Sequence, residues 1–487
     1  MAHTSNYSDQ QSLIAFKGSL LLDPYNSLLH WSPNHTFCNW TGVTCSSTRQ
    51  RVVSLNLTGM GLIGPISAFL GNLSFLRVLA LRNNSLEGHI PYQLGRLFRL
   101  RVLRLSDNNL EGPIPSSLGG CRSLQSLLLP YNNLSGSIPS ALGLLSNLES
   151  LGLGGNNLTG IIPPFLGNMY SLIFLELAIN RLQGGIPDEL GMLSQLNLLN
   201  LDTNSLTGPI PTALSNCTRL QTLDLSDNHF NGSIPWEFGR LSELQLLFLG
   251  GNQLTGEIPT SLGNLTQLQP LDLSRKQLSG TVPLEFGKMQ QLRTLFLWQN
   301  HLVSGSSGLS ILTFLTNCSS LAYLDLGSNY LTGILPVSIG RFSNSLLYLS
   351  LDSNEIWGNI PDEIGNLTNL TEVHLDANQF KGTIPSALGK LPNLERLTLD
   401  TNNLHGRIPE SFGQSKRLGL LSLSENMLSG QIPESLGKLP QLRRLYLDHN
   451  QLSGKIPASL GRCKTLEMVD LAHNKLTGNI PPEVAGL

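Results

Sequence analysis

Five large rings, Phe248, Phe296, Trp298, Tyr323 and Tyr348, alternate with leucines, and a run of acids, Asp325, Asp352, Asp376, Asp400 and Asp448, recurs beside them. His374 and Arg396 fall in the same stretch. Rings exposed together anchor a partner through apolar area. Carboxylates held near one another repel, and a Lys or Arg from a ligand relieves that repulsion. This is the chemistry of binding rather than of bond breaking. The many glycines come once per repeat, where turns need them, and form no phosphate loop. The ten histidines show no close metal-ligand spacing. The expectation is a non-enzymatic protein with no cofactor and no metal.

Whether these side chains meet depends on the elements that carry them. A unit of 24 residues recurs from Val52 onward, and LQTLDLSDNHFNGSIPWEFGRLSE, from Leu220 to Glu243, is a clean copy. Such a period marks a solenoid, because one coil cannot bury its leucines until a neighbour covers it. Leu223 and Leu225 alternate with Thr222, Asp224 and Ser226, predicting a short strand with leucines inward. Asn228 follows, where a side-chain amide can bond the adjoining backbone and repeat as a ladder. Phe230 turns back into the core, Gly232 permits a conformation that a side chain resists, and Ile234-Pro235 continues extended. Phe238, Gly239 and Leu241 close the coil. Eighteen coils begin between Val52 and Leu466, the irregular one at residues 292–320 among them. Outward positions of successive strands then form columns about 4.8 Å apart, which places the rings and the acids up to Asp400 on one shared face between the ninth and fifteenth coils, the acidic column being taken up again at Asp448.

Two coils break the rule. The coil from Leu268 has Pro270 at the head of its strand and Lys276 in place of the ladder asparagine, so a weakened ladder is expected. The coil from Leu292 is longer and loses its Ile-Pro, so a loop can leave the regular surface there.

Only 13% of residues are charged and the formal net charge is −2, which gives no overall attraction to nucleic acid or to an anionic membrane. No run of about 18 apolar residues is present, so nothing here spans a bilayer, and no membrane contact by this segment itself is expected. Cys38 and Cys45, in CNWTGVTC, are close enough to pair. Cys121, Cys217, Cys318 and Cys463 share one coil position but lie several coils apart, about 19 Å for four coils, and are expected as buried free thiols. N-x-S/T sequons occur at Asn6, Asn34, Asn39, Asn56, Asn72, Asn83, Asn133, Asn157, Asn216, Asn231, Asn264, Asn317, Asn366 and Asn369. Several should carry glycans in a secreted chain.

Residues 1–51 are no repeat. Ser8 and Asp9 precede SLIAFKGSLL, whose Leu13, Phe16 and Leu20 to Leu22 recur at roughly helical spacing, and Trp31 and Trp40 follow. This reads as a helical, disulfide-stapled cap. The order D-x-x-x-L-x-x-F-K, W, CNWTGVTC resembles the amino-terminal cap of plant extracellular leucine-rich-repeat proteins, and GxIPxxLGxL resembles their repeat subtype. The implied fold class is an α/β repeat, a leucine-rich-repeat solenoid: a curved right-handed superhelix with a concave parallel sheet and a 3-10 or irregular convex side. The irregular coil at 292–320, followed by the long RFSNSLLYL coil, is similar to the receptor-kinase subfamily that senses bacterial peptides.

The resemblance implies the ectodomain of an immune-type receptor on the extracellular face of the plasma membrane, binding a microbial peptide and a short leucine-rich-repeat co-receptor kinase. Arg444, Tyr446, Asp448, His449 and His473 are the candidate co-receptor surface, and the two histidines, about 5 Å apart, a candidate proton-sensitive contact. Arg82 and Arg104 read as a basic pair near the amino terminus. A second carboxy-terminal cap, a membrane helix and a kinase follow in that family; the sequence stops at Leu487 inside a coil, as a piece of a longer protein would. A secreted inhibitor or scaffold directed at a microbial wall-degrading enzyme is the alternative.

Overall fold

Leu223 and Leu225 are fully buried while Thr222, Asp224 and Ser226 are half-buried. That alternation recurs in coil after coil of the computed structural model, which describes residues 3–32 and 35–485. Each full burial of a leucine contributes roughly 1.5–3 kcal/mol, and the neighbouring coil supplies the cover. The chain divides into two units, between Leu244 and Gln245. Among the described residues the first has eight parallel strands of the repeat and the second ten. Neighbours pair in register, Asn200 with Asp224 in the first unit and Asp325 with Ser350 in the second.

The asparagines form the expected ladder. The amide of Asn108 donates to the carbonyls of Leu81 and Leu105, each at 3.0 Å, and its oxygen accepts from the Leu86 N–H at 3.0 Å. Both donor and acceptor capacity of a buried amide are thereby used, which is the condition for burying it at all. The residue before each ladder position is held in the left-handed region whatever its type, as at Tyr131, Ile179, Ala377, Thr401 and His449. After the ladder the chain pairs again: Thr332–Ile334, Glu355–Asn359 and Gln379–Thr383 are parallel strands of a second sheet. A proline then precedes a 3-10 turn such as Trp236–Arg240, its φ of −60° already suiting that start.

At the irregular coil the second sheet is interrupted. Val303 bridges Tyr330, Gly305 bridges Gly308, and a true α-helix, Ser310–Leu315, replaces the 3-10 turn. Ladder pairing also thins at Pro270: Leu247 and Phe248 pair with Leu271 and Asp272, but Leu246 does not pair with Pro270, which has no N–H to give. Lys276 is buried and donates its ammonium to the carbonyls of Leu249 and Ser274. It replaces the donor half of the asparagine, but an ammonium has no acceptor half.

The first coil is covered by α1, His3–Ser19, which begins before Ser8 and ends before Leu20. Asp9 is therefore no helix start. It is fully buried within the helix, ion-paired to Arg51 at 2.8 Å and accepting the Val52 N–H at 2.9 Å. Leu21 and Leu22 are exposed, and Leu22 bridges Ile63. Cys38 and Cys45 are bonded, with Cα atoms 5.4 Å apart. Trp31 stacks on Trp40 at 5.3 Å.

Candidate functional site

All the proposed ligand-binding residues lie in the second unit, on the side where the strands present their half-exposed side chains. Strand register sorts them into three columns. The first holds Tyr323, Tyr348, Glu372 and Arg396 in direct succession. The middle one holds Phe296, Asp325, Ser350, His374 and Thr398. The third, two residues beyond each strand, holds Trp298, Gly327, Asp352, Asp376 and Asp400, linked by backbone bonds of the residues that follow them. Phe248 is separated from Phe296 by Asp272 and stands apart from this cluster.

The middle of the cluster is bonded together. Asp325 accepts the Gly327 N–H at 3.0 Å and the Tyr348 hydroxyl at 3.4 Å. The Tyr348 and His374 rings are 5.4 Å apart. Thr398 donates its hydroxyl to Asp376 and lies 3.0 Å from His374 Nδ1. A hydroxyl has one hydrogen, so Thr398 accepts from a protonated Nδ1. His374 Nε2 is 3.4 Å from Glu372, which also lies 3.7 Å from Arg396. A Cβ at Gly327 would sit 2.5 Å from a carboxylate oxygen of Asp352 and 3.2 Å from one of Asp325, so a larger residue here would push those side chains aside. No side chain therefore stands between Trp298 and the acids.

Burial raises the carboxyl pKa of Asp325, and the charge of Asp352 raises it further against the opposing Gly327 N–H. Burial likewise raises Asp376, opposed by the Thr398 hydroxyl and reinforced by Asp400 and Asp352. The Tyr348 phenol is pushed up by burial and by Asp325. These acids are held uncomfortably, and a cation on this face would stabilise their charged forms.

Toward the far end, Arg444 and His449 are exposed and Tyr446 and Asp448 half-buried. Burial raises Asp448, but the Ser424 hydroxyl and His449 outweigh it and leave the carboxyl below its ordinary range. His449 and His473 stack at 4.1 Å. Between these two groups lies a depression of about 600 Å³ lined by Arg396, Arg417, Arg443 and Arg444, with Glu395 and Glu467 and the bare backbone of Gly419. Sequence reasoning passed over Arg417, Arg443 and Gly419, as it did Glu372, Thr398 and Gly327. The signal available was a glycine at a position where adjacent coils carry Glu395 and Arg443.

Other candidates separate. Arg82 is ion-paired to Asp107 at 2.9 Å, and Arg104 sits one column away, beside Ala80. Arg51 and Arg99 instead stack on Phe75, 4.5 and 4.3 Å from its ring. Glu176, unremarked in the sequence, accepts the N–H groups of Gly154 and Ala178, and burial raises its pKa. Asn39, Asn56, Asn72, Asn83, Asn133, Asn216, Asn231, Asn264, Asn317, Asn366 and Asn369 are exposed. Asn157 is half-buried and donates to Asn133. Asn34 lies outside the described residues and Asn6 among those whose side chains are not described. The four remaining cysteines are buried and unpaired, each thiol donating to a carbonyl of the preceding coil. No group of acids, histidines and cysteines among the described residues could hold a metal ion.

Residues 54–217 and 188–334 match the leucine-rich repeat region family, 368–428 and 392–452 the leucine rich repeat, and 6–46 the leucine rich repeat N-terminal domain. The Arabidopsis thaliana LRR receptor-like serine/threonine-protein kinase EFR is 48% identical over 85 residues, 17% of this chain and 8% of that protein. The match thus spans a small part of that curated relative. The plant peptide hormone receptor RGFR1, solved with RGF2, superposes with a TM-score of 0.85 at 37% identity, covering 91% of this chain and 73% of that one. The Arabidopsis receptor kinase HAESA, solved with the peptide hormone IDA and the co-receptor SERK1, gives 0.59 at 33% identity over 98% and 95%. With its amino-terminal cap, asparagine ladder and stacked parallel strands, the chain belongs to the leucine-rich-repeat family and is homologous to the ectodomains of plant leucine-rich-repeat receptor kinases.

Proposed function

We propose that this chain is the ligand-binding ectodomain of a plant immune-type surface receptor, holding an extracellular microbial peptide along the strand face of the second unit. The carrying observation is the register that sets Trp298, Tyr323 and Tyr348 beside Asp325, Asp352 and Asp376, two of these acids with raised pKa. An extended peptide advances about 3.3 Å per residue and crosses strands about 4.8 Å apart, so successive coils each meet a side chain. The peptides bound to RGFR1 and HAESA support this use of the fold. The irregular coil, similar to the subfamily that senses bacterial peptides, favours a microbial source.

A short leucine-rich-repeat co-receptor kinase would dock near Arg444, Tyr446, Asp448, His449 and His473, a reading supported by SERK1 on HAESA. The disulfide and the exposed sequons fit an extracellular location. A peptide-library screen followed by calorimetry tests the site. Trp298→Ala and Tyr323→Ala should each weaken binding of a selected peptide by more than about 1 kcal/mol. Unchanged affinity in the double variant would remove the site, and a library with no binder at all would count against the receptor reading.

A further inference from the structure

The irregular coil builds a second concavity, away from the strand face. Its Gly305–Gly308 turn and the Thr281–Glu285 stretch of the preceding coil enclose a cavity of about 230 Å³. Val282, Ile311 and Leu331 make a buried apolar floor. Ser304 accepts the Thr332 N–H at 3.0 Å and Ser307 bonds Ser310 at 2.9 Å, so the hydroxyl wall is held in place. Small-molecule sites usually measure about 300–1,000 Å³; this smaller one has room for an inserted aliphatic side chain and part of its neighbours, the way an interface anchor is received.

The surroundings are apolar on one side and acidic on the other. Val303 and Leu284 are each 41% exposed, Tyr330 51% and Ile334 52%, and Trp357, in register with Ile334, is 43% exposed. Such a contiguous group on a soluble surface is unusual without a partner. Glu285 lines the cavity, Glu257 lies against Gly280 beside it, and Glu355 pairs with Thr332. Among the described residues none of the three is in an ion pair. Cations are more remote: Lys288 ends the Leu284–Lys288 turn, and Lys381 stands two strands beyond Thr332.

None of the second unit's sequons lies on its second-sheet strands. In the second unit Asn264 and Asn366 end 3-10 turns, Asn317 follows the Ser310–Leu315 helix, and Asn369 precedes a strand of the first sheet. The second-sheet strands of the first unit, by contrast, contain Asn133, Asn157 and Asn231.

We infer that this cavity and its rim dock a partner protein through one aliphatic side chain flanked by Lys or Arg. The aliphatic group fills the apolar floor, and its cationic neighbours meet Glu257, Glu285 and Glu355. This surface is distinct from the proposed peptide site and does not depend on it.

Fluorescent hexapeptides with a central Leu, Ile, Val or Met and flanking Lys, Ser or Asp provide the test, titrated against the full chain. Lys-flanked aliphatic peptides should bind at least about tenfold more tightly than Ser- or Asp-flanked ones. Ser307→Trp, which fills the cavity from an exposed position, and the pair Glu257→Lys with Glu285→Lys should each abolish that preference, with thermal melts confirming that the variants fold. Trp298→Ala and Tyr323→Ala should leave it intact. Equal binding by all flanks, a preference that survives Ser307→Trp in folded protein, or loss in the strand-face variants would overturn the inference. So would a concentration-dependent dimer abolished by Ser307→Trp, which would assign the face to a second copy of the chain.

Discussion

Thr398 has one hydroxyl proton and two neighbours that could take it. It gives the proton to Asp376 and accepts from His374, so a short relay ties the middle column of the site to the third. The relay does not fully stabilise the carboxylate, because burial still raises the Asp376 pKa above its ordinary 3.8. A raised folded-state pKa means the folded chain binds more protons than the unfolded one. This contribution to stability is fully present below the unfolded pKa and is lost as pH rises through the folded value. Asp376→Asn should therefore raise the thermal midpoint at pH 7, with the gain shrinking as pH falls toward about 3.5. A midpoint unchanged at both pH values would mean that the buried charge costs nothing. A cationic ligand should show the complementary trend, binding more tightly as pH rises through the same window.

At the scale of the coil, what the sequence made legible was whatever recurs with a residue type attached. Alternating leucines, the ladder asparagine and the Gly-x-Ile-Pro segment each demand particular side chains, so the strand face and its columns could be read directly. The second sheet was not legible, because its strands are specified mainly by backbone pairing and admit Gln379, Lys381 or Trp357 alike. The left-handed residue before each asparagine was hidden for the same reason: the ladder imposes that conformation on Ile179 and Ala377 without selecting a residue for it. Within the site, Glu372 and Thr398 looked like ordinary outward polar residues, and only register showed them bonded to His374. Phe248 looked like one more ring of the group and proved to be two coils removed from the next. The ladder itself gives the clearest test of an element. Lys276→Asn restores an acceptor that lysine lacks and should stabilise the chain by about 1 kcal/mol in urea unfolding. The companion Asn300→Ala, which strips the buried bonds to Leu273, Leu297 and Leu278, should cost about 3 kcal/mol or more.

The molecule as a whole has no single core, so its stability is a sum over neighbouring coils and its unfolding need not be one event. Four coils happen to carry a thiol at the same buried place, Cys121 and Cys217 in the first unit and Cys318 and Cys463 in the second. Burial pushes the first three up to about 11, well away from the thiolate form that reacts. Iodoacetamide at pH 8 should leave these three unmodified in the native chain and alkylate all of them once urea has opened the stack, as peptide mass spectrometry would show; native labelling at the unfolded rate would contradict their burial. Within each unit the two sulfurs sit in different coils and so mark different places in its stack. In graded urea, the order in which they acquire a mass tag would reveal which coils of each unit open first, with the chain's own thiols as the reporters.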